Sequence, residues 1–260
     1  MNRGQSSLPS LTDDVSQAKA DLREYGLALL AGQVPSAQLE AAREATYASA
    51  DDDRRQNREA DPFPLDYGRG NTRVWNVLDR HPVFREFVQL PVILELLRET
   101  IGWPALLGNI SANIAEPGSD GGSLHADQLF VPRPWPAEAQ GFNCSLVLDE
   151  FTADNGATEV ISRSHRQTKV PDADDAVPII APAGTLVALD SRVWHRTGCN
   201  RSQRPRAAVF AWYTRPIYRT QENWFLSLDD AVVESASDVL LTLLGYRTQG
   251  LGLVYGRSPR

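Results

Sequence analysis

His125 lies in the segment GGSLHADQLF, two residues before Asp127. On an extended chain, residues i and i+2 project from the same face, so a strand over 124–131 would bring this imidazole and carboxylate to one point. Such a pair is common by chance and carries little weight alone. His195 changes that. It stands 70 residues beyond His125 in LVALDSRVWHRTGCN, just after the apolar run AGTLVALD. Two imidazoles and one carboxylate on one face of a metal form a facial triad. The remaining positions stay open, which suits a non-haem Fe(II) that must bind a co-substrate and O2. Structural zinc sites want four ligands and often Cys, which this spacing does not supply.

Eleven positions past His195 is Arg206, at the head of the strand-like run RAAVFAWYT. A turn at CNRSQRP would return that strand antiparallel beside the one bearing His195 and aim the guanidinium at the metal. A planar fork of donors is suited to clamp a carboxylate bidentately. The co-substrate 2-oxoglutarate has such a distal carboxylate, while its keto-acid end chelates iron. Arg204 competes at the same turn, but it precedes Pro205 and reads as exposed.

The elements that must position these residues fall into three stretches. A helical layer spans about 12–101, a strand-rich core about 105–216, and a helical tail about 221–260. In the first, helices are expected over 18–25, from Pro35, and over 81–90 and 91–101. Strands are expected over 26–30 and 72–78, with an exposed loop over 51–70. In the second, short runs at 105–115, 124–131, 142–149, 157–161, 177–180, 184–190 and 206–214 are separated by Gly, Pro, Asn and Asp clusters. That texture is one of an antiparallel sandwich or barrel. The tail is expected to be helical over 231–244. The three stretches together read as a single domain over 1–260.

Bulk properties narrow the partners. A chain of 260 residues, 42% hydrophobic and 23% charged, suffices for one well-buried domain. A net charge of -7 gives no support for nucleic acid or an anionic membrane as partner. No apolar run is long enough to span a bilayer, and the N-terminal MNRGQSSLPSLTDD lacks the apolar core of a signal peptide. A cytoplasmic location is the expectation. Cys144 and Cys199 have no metal-like or redox-like spacing and are expected to be buried, reduced residues.

With SLHADQ, DNGATEVISRSHR, PAGTLVALDSRVWH and HRTGCNRSQRPR in that order, residues 105–226 resemble the phytanoyl-CoA dioxygenase-like family of Fe(II)/2-oxoglutarate oxygenases. The resemblance implies a mainly β fold with flanking helices: a double-stranded β-helix, or jelly roll, under an N-terminal helical layer. It implies His125, Asp127 and His195 as iron ligands and Arg206 as the 2-oxoglutarate clamp. Thr197 matches a position where the family uses a hydroxyl to help bind that carboxylate, and Thr158 and Arg73 match further co-substrate contacts. Fe(II), 2-oxoglutarate and O2 would then act together on a small organic substrate. Hydroxylation is the default outcome, with desaturation, ring formation and endoperoxidation as variants within the family. Related halogenases replace the carboxylate by Gly or Ala, so Asp127 argues against halogenation. The stretch ISRSHR departs from the family's P-G-S-H-R, with Ser162 and Arg163 in place of Pro and Gly.

The remaining residues have plainer readings. His165 is expected to close a turn, and His81, opening a helix, to lie at the surface. Trp75, Trp135, Trp194 and Trp212 read as core before pocket wall, with Trp194 turned away from the metal. The different-class alternative is a catalytically silent cupin-like metal-binding protein, against which the intact ligands and Arg206 speak. Substrate determinants are expected in 51–73, in PRPWP at 132–136 and in the tail. No basic patch offers itself to a CoA phosphate, so a natural-product scaffold or amino-acid derivative is favoured over an acyl-CoA.

Overall fold

In the computed structural model, which describes residues 7–56, 69–248 and 250–260, the chain opens with helix α1 (Val15–Tyr25). Asp14 caps it by accepting from the Ser16 N–H at 2.7 Å, and Gly26 ends it at φ 79, where a side chain would be strained. Strand β1 (Leu27–Leu30) and helix α2 (Ser36–Arg55) follow. The acidic run at 51–53 therefore continues α2 and does not begin the expected loop. Most of that loop, 57–68, lies outside the described residues. After β2 (Asn71–Val74) the expected strand stops short. Asn76 takes a left-handed φ of 53 and turns the chain into α3 (Val77–Arg80), α4 (Pro82–Phe87) and α5 (Pro91–Thr100). His81 caps α4, its Nδ1 accepting from the Val83 N–H at 3.2 Å.

The remaining strands are β3 (Leu106–Ala115), β4 (Gly141–Val147), β5 (Thr158–Val160), β6 (Val177–Pro178), β7 (Leu186–Asp190), β8 (His195–Thr197) and β9 (Arg206–Thr214). They form two antiparallel sheets, ordered β1-β7-β4-β9-β3-β2 and β6-β5-β8. This is the expected jelly roll. The tail is broken into α6 (Trp224–Ser227), α7 (Asp230–Glu234) and α8 (Asp238–Leu243). The break in the expected 231–244 helix is at Ser237, whose hydroxyl accepts from the Leu240 N–H and starts a new helix.

Strand periodicity separates the two faces of the large sheet. Phe142, Cys144 and Leu146 of β4, with Ala207, Val209, Ala211 and Tyr213 of β9, join one apolar cluster with α1, α5 and α8. The alternate residues, Asn143 and Ser145 of β4 and Asn109, Ser111 and Asn113 of β3, face the other way, toward the small sheet. Glycine makes one close approach possible. A Cβ on Gly108 would lie 2.1 Å from Cε3 of Trp212, so the indole lies directly against the β3 backbone. Gly108→Ala must displace that ring, and it should lower stability by about 1–3 kcal/mol in a denaturant melt.

Two positional expectations are corrected here. β9 is not beside the strand of His195; it lies between β4 and β3 in the large sheet, while β8 pairs with β5 in the small one. The run 124–131 is not a strand. Only His125 makes a β-bridge, and Asp127–Phe130 is a 3-10 turn, pinned where the Gln128 N–H donates to Ser191 O at 2.8 Å.

Candidate metal centre

His125 and His195 sit directly opposite each other as a doubly hydrogen-bonded antiparallel pair, N to O at 2.9 and 2.8 Å. That pairing puts both rings on one face, with centroids 4.5 Å apart. The Nδ1 of His125 is 2.9 Å from Ser123 O, and that of His195 is 3.0 Å from Val193 O. A carbonyl can only accept, so each ring carries its proton on Nδ1 and presents the Nε2 lone pair. The 3-10 turn then brings Asp127 between them. Its Oδ1 lies 3.8 Å from His125 Nε2 and 3.7 Å from His195 Nε2. All three donor atoms fall within 4.8 Å of one another, so the set fits one divalent ion with two nitrogen ligands and one oxygen ligand.

A fourth residue, not anticipated from the sequence, fixes the carboxylate. Asn143 Nδ2 donates to Asp127 Oδ2 at 3.0 Å, and Ser145 donates to Asn143 Oδ1 at 3.3 Å. With Oδ2 held by β4, Oδ1 is turned to the histidines. The signal was present in GFNCSLV: polar residues at alternate positions of an otherwise apolar strand mark a functional inner face. Asn143→Leu should weaken metal binding by about 10–100-fold, as losing an outer-shell partner typically does, measured by Fe(II) titration under argon.

The triad opens on a cavity of about 540 Å³. Register places its other residues in order. Asn143 and Asn109 lie opposite Trp212, Ser145 and Ser111 opposite Phe210, and Ala115 opposite Arg206. Phe130, 40% exposed, marks the outer end, while the wholly buried Arg206 heads β9 four residues before the lining Phe210. Thr158 and Thr197 are directly opposed between β5 and β8, both buried and both lining the cavity. Arg73 lines it too, its Nη1 donating to Ser111 Oγ at 3.2 Å, its guanidinium 5.7 Å from the Phe210 ring centre. Arg206 is not itself among the lining residues. Its guanidinium lies over Phe151 at 4.8 Å and donates to Gly156 O, two residues before Thr158. Arg204 is exposed.

The other residues sort clearly. Trp194 is buried against Trp135 and away from the cavity, whereas Trp212 lines it. His165 is buried where a Gly26 side chain would otherwise be, and that burial holds its pKa below the usual value. Cys144 is buried as expected; Cys199 is exposed, which corrects the paired reading. Arg163 occupies the family's glycine position at φ 63, with its guanidinium over the Tyr25 ring and donating to Glu24. Of the segment 132–136, residues 133–136 line a separate cavity of about 490 Å³, and none lines the one at the triad. The tail reaches the triad's cavity only at its first residue, Gln221, with Tyr218 and Arg219 of the segment just before it. No helix among the described residues is long and apolar enough to cross a membrane.

Comparison with known proteins gives relatives both in sequence and in fold. Dioxygenase af480 of Aspergillus fumigatus is 32% identical over 253 residues, covering 92% of this chain and 81% of that protein. The chain spans 42% to 63% of the length of several further curated relatives. EctD from S. alaskensis, solved with bound Fe, superposes with a TM-score of 0.63 at 17% identity, over 83% of this chain and 79% of EctD. HygX from Streptomyces hygroscopicus, solved with nickel, 2-oxoglutarate and hygromycin B, gives 0.62 at 13% identity, over 78% of this chain and 88% of HygX. At such identities the two structures share the fold. The family model described as Phytanoyl-CoA dioxygenase (PhyH) matches residues 22–208, most of the chain, and this protein belongs to that family.

Proposed function

We propose that this protein is an Fe(II)- and 2-oxoglutarate-dependent oxygenase that hydroxylates an unactivated C–H bond of a small organic molecule, in specialised metabolism. The observation that carries the reading is the trio His125, Asp127 and His195, whose ligand atoms lie mutually within 4.8 Å and open to a cavity. When bound there, iron with 2-oxoglutarate and O2 supplies C–H oxidation coupled to conversion of 2-oxoglutarate into succinate and CO2.

The chain's own residues set the conditions for that chemistry. The Ser123 and Val193 carbonyls hold both imidazoles in the ligating tautomer, and Asn143 holds Asp127 to a single free oxygen. Thr197 and Arg206 take the distal carboxylate of the co-substrate at the inner end, supported by Thr158 and Arg73. Charge-assisted bonds in so enclosed a place are strong and directional. Phe130, Trp212 and Tyr218 exclude water from the outer end and orient the substrate, as C–H chemistry at a fixed centre requires. Helical layer, core and tail work as one oxygenase domain, since a single apolar cluster runs from Ala18 in α1 to Tyr246 beyond α8.

The test is isotopic. With Fe(II), 2-oxoglutarate and 18O2, succinate should form slowly even without substrate and carry one labelled oxygen. Succinate absent or unlabelled rejects the reading.

A further inference from the structure

The outer half of the cavity differs from the inner half in shape and charge. Phe130 follows Asp127 in the same 3-10 turn, and its ring stands edge-on to Trp212 at 5.2 Å and to Tyr218 at 5.0 Å. This gives an aromatic wall beside the metal ligands, suited to the flat face of a ring. The polar groups around it are few. Asn109 Nδ2 donates to Gln221 Oε1 at 2.8 Å, and Asn109 Oδ1 is buried with no partner among the described residues.

The charges there are one-sided. Among the described residues that line the cavity, Asp127 is the only carboxylate, and it faces the two histidines. Arg196 is neutralised by Glu159 at 2.6 Å, and Arg73 lies inward against Ser111. Arg219 is on the rim, exposed, with no acidic side chain in ion-pair distance among the described residues. A cationic substrate would meet no countercharge in this half, whereas an anionic one would meet an uncommitted guanidinium.

We propose that the outer half of the cavity is the substrate subsite, and that it takes an apolar, ring-containing molecule bearing a carboxylate, which Arg219 receives while Phe130 and Trp212 hold the ring. This rests on the oxygenase reading, because it assigns the inner half to the co-substrate.

Three bicyclic probes of equal shape test it: 2-naphthylacetate, its methyl ester and 2-(2-naphthyl)ethylammonium. Binding is measured by calorimetry under argon, to protein loaded with Mn(II) and 2-oxoglutarate. The acid should bind about tenfold more tightly than the ester, the worth of one charge-assisted hydrogen bond, and the ammonium most weakly. Arg219→Gln should bring the acid down to the level of the ester, and Phe130→Ala should weaken acid and ester alike. Equal binding of the three, preference for the ammonium, no binding by any, or an acid preference that survives Arg219→Gln overturns the proposal. The preceding 2-oxoglutarate titration reports on the oxygenase reading by itself. If 2-oxoglutarate binds and the probes show no charge preference, only the substrate inference fails.

Discussion

Asp127→Ala should reduce 2-oxoglutarate turnover to background and remove stoichiometric Fe(II) binding, while leaving the fold intact. Asp127 supplies the only oxygen of the three-atom set and lies 3.7–3.8 Å from both Nε2 atoms. Without it, two imidazoles remain on one side of the ion. Losing an outer-shell partner typically costs 10–100-fold in metal affinity, so losing the ligand itself should cost more than about 100-fold. The fold should tolerate the change. Asp127 heads a 3-10 turn whose hold on the core runs through its neighbour Gln128, which donates its N–H to Ser191 O and accepts from the Gln140 N–H. Asn143 Nδ2 loses its acceptor, and the melting temperature should move by no more than about 4 °C. Iron titration under argon and a thermal melt separate the two effects. Near-normal iron binding by this variant would remove Asp127 from the ligand set.

Arg206→Leu should raise the KM for 2-oxoglutarate by about 30-fold to about 5 × 10³-fold, with a smaller effect on kcat. The guanidinium is wholly buried, over the Phe151 ring and beside the Gly156 carbonyl, two residues before the cavity-lining Thr158. Truncating one partner of a buried, hydrogen-bonded charge pair costs roughly 2–5 kcal/mol, which sets the range. Stability should follow a different course. Removing a buried charge offsets part of the cost of the cavity that the shorter leucine leaves, so the unliganded protein should lose little stability. Arg206→Lys keeps the charge and loses the planar fork, so it should recover part of the affinity. A variant that loses stability but keeps its KM would make Arg206 a structural residue only.

The candidate ligand set was legible in the sequence, though the three residues converge for a partly different reason than the spacing suggested. An i, i+2 pair on a strand would converge, but Asp127 is not on a strand. Convergence comes from the backbone pairing of His125 with His195, and a turn then delivers the carboxylate. A one-residue bridge and a full strand share the same local alternation, so periodicity could not separate them. Nor could it place β9: alternation fixes which face RAAVFAWYT buries, while its neighbours are set by pairing with residues far along the chain. Asn143 was missed because its partner lies across the fold, at Asp127.

Local chemistry explains the other differences. Asn76 and Ser237 each ended or restarted an element through a left-handed turn or a cap, one residue overriding a longer pattern. The departure at Arg163 is now physically plain. The turn needs a positive φ, glycine meets that freely, and this chain meets it with an arginine held by Glu24 and Tyr25.

The central claim is that His125, Asp127 and His195 hold an iron that 2-oxoglutarate chelates. Adding Fe(II) and then 2-oxoglutarate to the protein under argon tests it most directly. The account predicts a weak visible charge-transfer band that saturates at one iron per chain, is absent in Asp127→Ala, and decays with succinate release when O2 is admitted. No band and no succinate from a folded protein, or a band that persists unchanged in Asp127→Ala, would contradict it.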